Sequence, residues 1–199
     1  MIECDRLAEL DVPQSELQRI ADVMPLPSFT DGYNNVETTY YLAEISIRRL
    51  LNRVHNTIYT QSRTLDDESN HPFTSDQLSR LEKICHELHR QLETWRSSIP
   101  EPFQVDIEGG QSPRHDRERV LMIRSFATHH IIYRPFVLHA IALGQLQAQG
   151  QNQDTAYTKL SDMVLEHCRM CLDSCRRYIY NACRMLGRSS PYTWTFSIS

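Results

Sequence analysis

The side chains here that could hold a metal or move a proton fall into a few groups. His167, Cys168, Cys171 and Cys175 follow one another at helical spacing, and ligands three or four residues apart on a helix can share a zinc ion. Cys168, Cys171, Cys175 and Cys183 also lie on or beside one apolar stripe, where free cysteine behaves as a small hydrophobe. Buried core thiols are the expectation. His129 and His130 sit in a strongly apolar run, and a histidine there is expected to be a core or cap residue rather than a general base. Arg169, Arg176, Arg177, Arg184 and Arg188 gather along another helical pattern. With Asp173 four residues from both Arg169 and Arg177, that face is expected to be ion-paired and solvated rather than a nucleic-acid surface.

Two further groupings are near misses. His86, Glu87, Leu88 and His89 place the histidines three apart, one short of the H-E-x-x-H zinc motif, so exposed polar residues are expected. Asp66, Asp67 and Glu68 could bridge magnesium to a diphosphate, like the aspartate-rich motif of terpenoid synthases. The second metal motif of those enzymes is not found downstream, and a solvated acidic loop is favoured. No Gly-rich phosphate loop or local nucleophile signature occurs. No catalytic, cofactor-binding or metal-ligating residue is assigned.

The elements that would position these groups are helices. The chain has 199 residues, 40% apolar and 23% charged, enough for one domain with a real core. Residues 1–31 carry seven acids and two arginines, a charge of −5; since the whole chain carries −4, the other 168 residues carry +1. Neither part has the basic excess that neutralises phosphates, so this chain is a poor candidate for binding DNA alone. No run approaches the roughly 18 to 20 apolar residues of a membrane span. The acidic start, MIECDRLAELD, lacks a signal-peptide pattern, and the six cysteines fit a reduced compartment.

Apolar spacing predicts a short helix over residues 14–23, then a linker with Pro25, Pro27 and an Asp-Gly turn. A helix over 36–59 has the stripe Val36, Tyr40, Ala43, Ile47, Leu50, Leu51, Val54 and Ile58, with Arg48, Arg49, Asn52, Arg53 and Asn56 mostly off it. The next helix opens at Thr74 or Ser75 and runs along Leu78, Leu81, Ile84, Cys85, Leu88, Leu92 and Trp95 to a stop at Pro100 and Pro102. A helix over 116–146 is apolar on several sides and should be central, with Pro135 kinking or breaking it. The last long helix is predicted over 155–186, with a stripe that includes Leu172, Cys175 and Ile179 and a stop at Gly187. Trp194, Phe196 and Ile198 then have little to pack against, so truncation inside a larger domain is expected.

Three blocks occur in order. They are YYLAEISIRRLLNRVHNTIY at 40–59, Gln91, Leu92, Trp95, Arg96, Ile99 and Pro100, and IIYRPF at 131–136. Together they resemble the regulatory, or middle homology, region of fungal zinc-cluster transcription factors. The likeness spans about residues 36–140, with a weaker continuation through the cysteine-bearing helix.

The resemblance implies an all-α regulatory domain of about five to six helices over residues 36–199, truncated at its C-terminus and preceded by an acidic segment and linker over 1–35. It implies a nuclear, non-enzymatic protein that tunes RNA polymerase II transcription. Its partners would be transcription-machinery proteins or a second copy, with a small-molecule effector in some family members. DNA and zinc binding would belong to a six-cysteine cluster that this sequence lacks. No DNA-contacting or metal residue is carried over, and no cofactor is expected in this chain. The competing reading is an all-α metal-dependent enzyme or small-molecule-binding protein built on Asp66, Asp67 and Glu68 or on His129 and His130.

Leu50, Leu51 and Val54 should build the core seam and Trp95 should anchor its helix, while Arg134 is placed to meet carbonyls freed by Pro135. Leu51→Asp is therefore expected to unfold the domain, since it buries an unpaired charge. A variant that melts at the wild-type temperature in circular dichroism would remove the residue from the core.

Overall fold

The computed structural model describes residues 23, 35–60, 72–101, 103, 104, 113, 115–149 and 160–186. The described residues form four long helices and no strand: α1 (Asn35–His55), α2 (Ser75–Ser98), α3 (Asp116–Ala148) and α4 (Asp162–Leu186). A π-helical turn, Asn56–Thr60, extends α1. The all-α expectation holds. The predicted helix over 14–23, apart from Val23, and the aromatic tail after Leu186 lie outside the described residues.

Local chemistry sets the starts. Thr74 closes a capping box at α2: its hydroxyl accepts from the Gln77 amide at 3.3 Å, and the Gln77 side chain accepts from the Thr74 amide at 2.8 Å. Ser161 caps α4, accepting the Val164 amide on its hydroxyl and the Leu165 amide on its carbonyl. That cap starts α4 at Asp162; Leu160 and Ser161, inside the predicted helix, are not helical, and residues 155–159 lie outside the described residues.

Helix direction follows from the cross-contacts. Trp95 donates to Ala43 O at 3.2 Å and Ser46 Oγ at 2.9 Å, while Arg53 donates to Gln91 at 2.6 Å, so α1 and α2 run antiparallel. Phe73 donates its amide to His139, His89 meets Tyr133, and Arg96 donates to Ser125, which makes α2 antiparallel to α3. His167, Ser174 and Arg177 of α4 meet Phe136, His129 and Phe126 in turn, so α4 also opposes α3. Glu37 pairs with Arg117 and Tyr59 reaches Ile131, so α1 and α3 are parallel. Helix α3 thus lies at the centre, apolar all round as its composition predicts, and buries most of its length.

The α1 stripe from Tyr40 to Ile58 is buried, including Leu51, whereas Val36 is exposed. Arg48 and Asn52 are buried as well, contrary to their placement off the stripe. Helix α1 is covered over more than one face, and Glu44, one turn before Arg48, holds that guanidinium at 2.8 Å inside the protein. Helix α4 deviates the other way. Leu172 and Ile179 are 59% and 52% exposed. The side of α4 turned to α3 is the narrower band through His167, Cys171, Ser174 and Tyr178, and the seven-residue series Leu165, Leu172, Ile179 falls beyond it.

Pro135 does not break α3, which is continuous from 116 to 148. Proline lacks the N–H that would bond the carbonyl four residues back, Ile131, and its ring crowds that turn. Three side chains from three other elements donate there. Tyr59 Oη–H donates to Ile131 O at 2.8 Å, Cys85 Sγ–H to Ile132 O at 3.2 Å, and Cys171 Sγ–H to His130 O at 3.4 Å. Arg134, expected to meet these carbonyls, is exposed. Its long side chain keeps its charge in water, and less costly neutral donors occupy the interior.

Leaving a buried carbonyl without its donor costs about 1–3 kcal/mol. Tyr59→Phe should lose that amount, and Pro135→Ala, which restores an N–H opposite Ile131 O, should recover most of it. Urea unfolding of the two single variants, the double variant and the parent measures the coupling. An equal Tyr59→Phe cost in both backgrounds would contradict the pairing.

Candidate functional site

The candidate residues distribute unevenly over this fold. Asp66, Asp67 and Glu68 lie outside the described residues, as do Cys4 and Arg188. His86 is exposed, as expected, but His89 turns inward and meets α3. Cys85 and Cys171 are buried, Cys168 and Cys175 half-buried, and Cys183 exposed, so the core-thiol expectation fails for Cys183. Burial pushes the Cys85 thiol up to about 12 and the Cys171 thiol to about 11, which keeps both as S–H donors and makes them poor nucleophiles.

The densest polar group surrounds Tyr133. Its hydroxyl bonds His89 Nδ1 at 2.8 Å, its ring stacks on His167 at 5.1 Å, and His129 lies 5.1 Å from it, tilted. His129 and His89 meet edge to face at 4.9 Å, and His167 stacks on Phe136 at 4.4 Å. The outer nitrogens are also occupied: Ser174 Oγ sits 2.6 Å from His129 Nδ1, and Met163 Sδ lies 3.1 Å from His167 Nδ1. Sequence spacing holds a signal for this group, since residues 129, 133 and 136 share one face of α3. Nothing in the sequence points to His89 and His167 as their partners.

Desolvation holds all these imidazoles below the usual histidine range. For His129 it is the largest cause, aided by the nearby charges of His89 and Arg96 and opposed by Asp173, and it brings the ring to about 3. A base that weak takes no proton from a substrate near neutral pH. Among the described residues, no three or more His, Cys, Asp and Glu side chains are arranged to hold a metal ion. The cluster is a packing device made of neutral rings and hydrogen bonds.

Two surface features remain. An open groove of about 370 Å³ runs between α1 and α2, with Leu50 and Trp95 as its floor and Arg49, Arg53 and Arg90 on its walls. The outer face of α4 shows Leu165, Leu172, Ile179 and Tyr180 beside an ion-paired row, with Arg169 on Glu166 and both Arg176 and Arg177 on Asp173. The ion-paired expectation holds for Arg177 on Asp173, while Arg169 takes Glu166 instead of Asp173 and Arg184 donates to the Tyr180 hydroxyl. Among the described residues, no helix is long and apolar enough to cross a membrane.

The fold therefore defines an all-α module, with a hydrophobic core shared by its four described helices and polar contacts between them. Comparison with known proteins adds a likeness to a fungal transcription factor. The chain is 25% identical over 168 residues to the Aspergillus rugulosus protein named "Putative transcription factor ecdB". The match covers 81% of this chain but 26% of that protein, so the chain spans about a quarter of its relative's length. No protein-family model matches the chain, and no solved structure matches it.

The depressed His129 value has a sign in stability. The folded protein resists protonating that ring, so its contribution is fully present above about pH 6.5, the unfolded value, and is lost as pH falls toward about 3. At pH 5 this one group should cost about 2 kcal/mol. His129→Asn keeps an acceptor for Ser174 and does not titrate. Denaturant unfolding at pH 7.5 and pH 5.0 should show a smaller pH loss in the variant, by about that amount.

Proposed function

We propose that this chain is the regulatory, middle-homology domain of a fungal zinc-cluster transcription factor, acting in the nucleus to tune RNA polymerase II transcription. The observation that carries the reading is the 168-residue likeness to a protein named for transcription. Three sequence blocks support the finer assignment, because their residues are the ones that join the helices. Leu50, Leu51 and Val54 lie in the core, Trp95 bonds the α1 backbone, and the carbonyls of Ile131 and Ile132 receive donors from elsewhere in the chain. DNA binding and zinc belong, in this reading, to a six-cysteine cluster outside these 199 residues. The partners are transcription-machinery proteins or a second copy, with a small-molecule effector as input. The enzyme reading gains no support from His129, a weak base locked in packing, or from His130, half-buried beside it.

The test has two arms. The genomic reading frame upstream of Met1 is expected to encode two C-x2-C-x6-C half-sites. Residues 1–199 fused to a heterologous DNA-binding domain are expected to alter reporter transcription in a fungal host. An upstream frame without the cysteines, together with an unchanged reporter, would discard the proposal.

A further inference from the structure

The α1–α2 groove and the N-terminal charge of the chain complement each other. Among the described residues, the groove lining contains three arginines and no carboxylate. Glu87 at the rim takes two bonds from Arg90, at 2.8 and 2.7 Å, and Arg53 is held by the neutral Gln91 side chain, so among the described residues Arg53 presents a charge that its bonded partner does not neutralise. Its floor is the apolar pair Leu50 and Trp95. Residues 1–31 hold the opposite pattern: seven acids against two arginines, interleaved with Leu7, Leu10, Leu17 and Ile20.

Reach favours the chain's own segment. Arg49 and Arg53 lie about 21–27 Å along the α1 axis from Asn35, at about 1.5 Å per residue. The stretch 24–34 can span up to about 36 Å when extended, so residues preceding it can return to the groove without strain. A tethered segment also meets the groove at millimolar effective concentration, which a separate partner must match. Two copies pairing through this groove would set arginines against arginines. On the exposed α4 face the carboxylates of Glu166 and Asp173 already take Arg169, Arg176 and Arg177, whereas Arg53 in the groove is held by a neutral amide.

We propose that the acidic residues 1–31 dock in the α1–α2 groove of their own chain, with their leucines on Leu50 and Trp95 and their carboxylates among Arg49, Arg53 and Arg90. The full chain carrying the photo-cross-linker benzoylphenylalanine at Leu10, and separately at Leu17, tests this. Irradiation at low micromolar protein should give a product within one chain, mapped by mass spectrometry to residues 46–53 or 90–98. Arg53→Glu with Arg90→Glu, both at exposed positions, should cut that yield about tenfold. In the unchanged protein, about 1 M salt, which screens charges beyond about 3 Å, should lower it too. Products mapping to Leu172 and Ile179, products between chains, no product, or a yield indifferent to both charge reversal and salt would each overturn the proposal.

Discussion

The architecture turns on the backbone just ahead of Pro135. A proline in a buried helix leaves a carbonyl that its own helix cannot satisfy, and water does not reach it. The donors come from the π turn after α1, from α2 and from α4, through Tyr59, Cys85 and Cys171. Each neighbouring element therefore fixes its height against α3 by one directional bond, on top of non-directional packing. Hydrophobic contact alone would let these helices slide by a turn. Three bonds to three consecutive carbonyls define one register.

The interior is also more polar than its apolar stripes suggest. Glu44 and Arg48 form an ion pair inside the protein, and Arg119, Arg124, Ser125, Thr128 and His139 are buried along α3. Buried polar groups persist when they are paired: Thr128 donates to Arg124 O one turn back, Ser125 accepts from Arg96 of α2, and His139 accepts from Phe73. The imidazoles follow the same rule by remaining uncharged. The Phe73 amide donates to His139 Nδ1 at 2.9 Å, which requires that nitrogen to be the bare one and ties the entry of α2 to the end of α3.

The four described helices, their order and most of the core were legible in the sequence because period-3.6 spacing survives wherever one face is buried. Tyr40, Leu51, Cys85, Leu92 and Ile132 were all readable in this way. Arg48 and Asn52 were not, since nothing in a single sequence says that a second face of α1 is covered. Leu172 and Ile179 failed for the opposite reason: hydrophobicity marks what can be buried, while the width of the neighbouring helix decides what is. The start of α4 at Asp162 was hidden because the Ser161 cap sets it against the apolar pattern through Leu160. At the candidate sites, the exposure expected of the His86–His89 group holds for His86 and not for His89, whose inward turn depends on Tyr133, 44 residues away. Such long-range pairing leaves no local trace.

The donors to the Pro135 turn are separated from their acceptors by 72, 47 and 41 residues, and one of them follows α3 in the chain. On the ribosome, α3 would emerge with its most apolar surface formed and without the bond that Cys171 gives His130 O, until Cys171 has been synthesised and α4 can swing back. The nascent domain is thus committed to a late closure, and the interval before it is when a chaperone would find the longest exposed apolar helix.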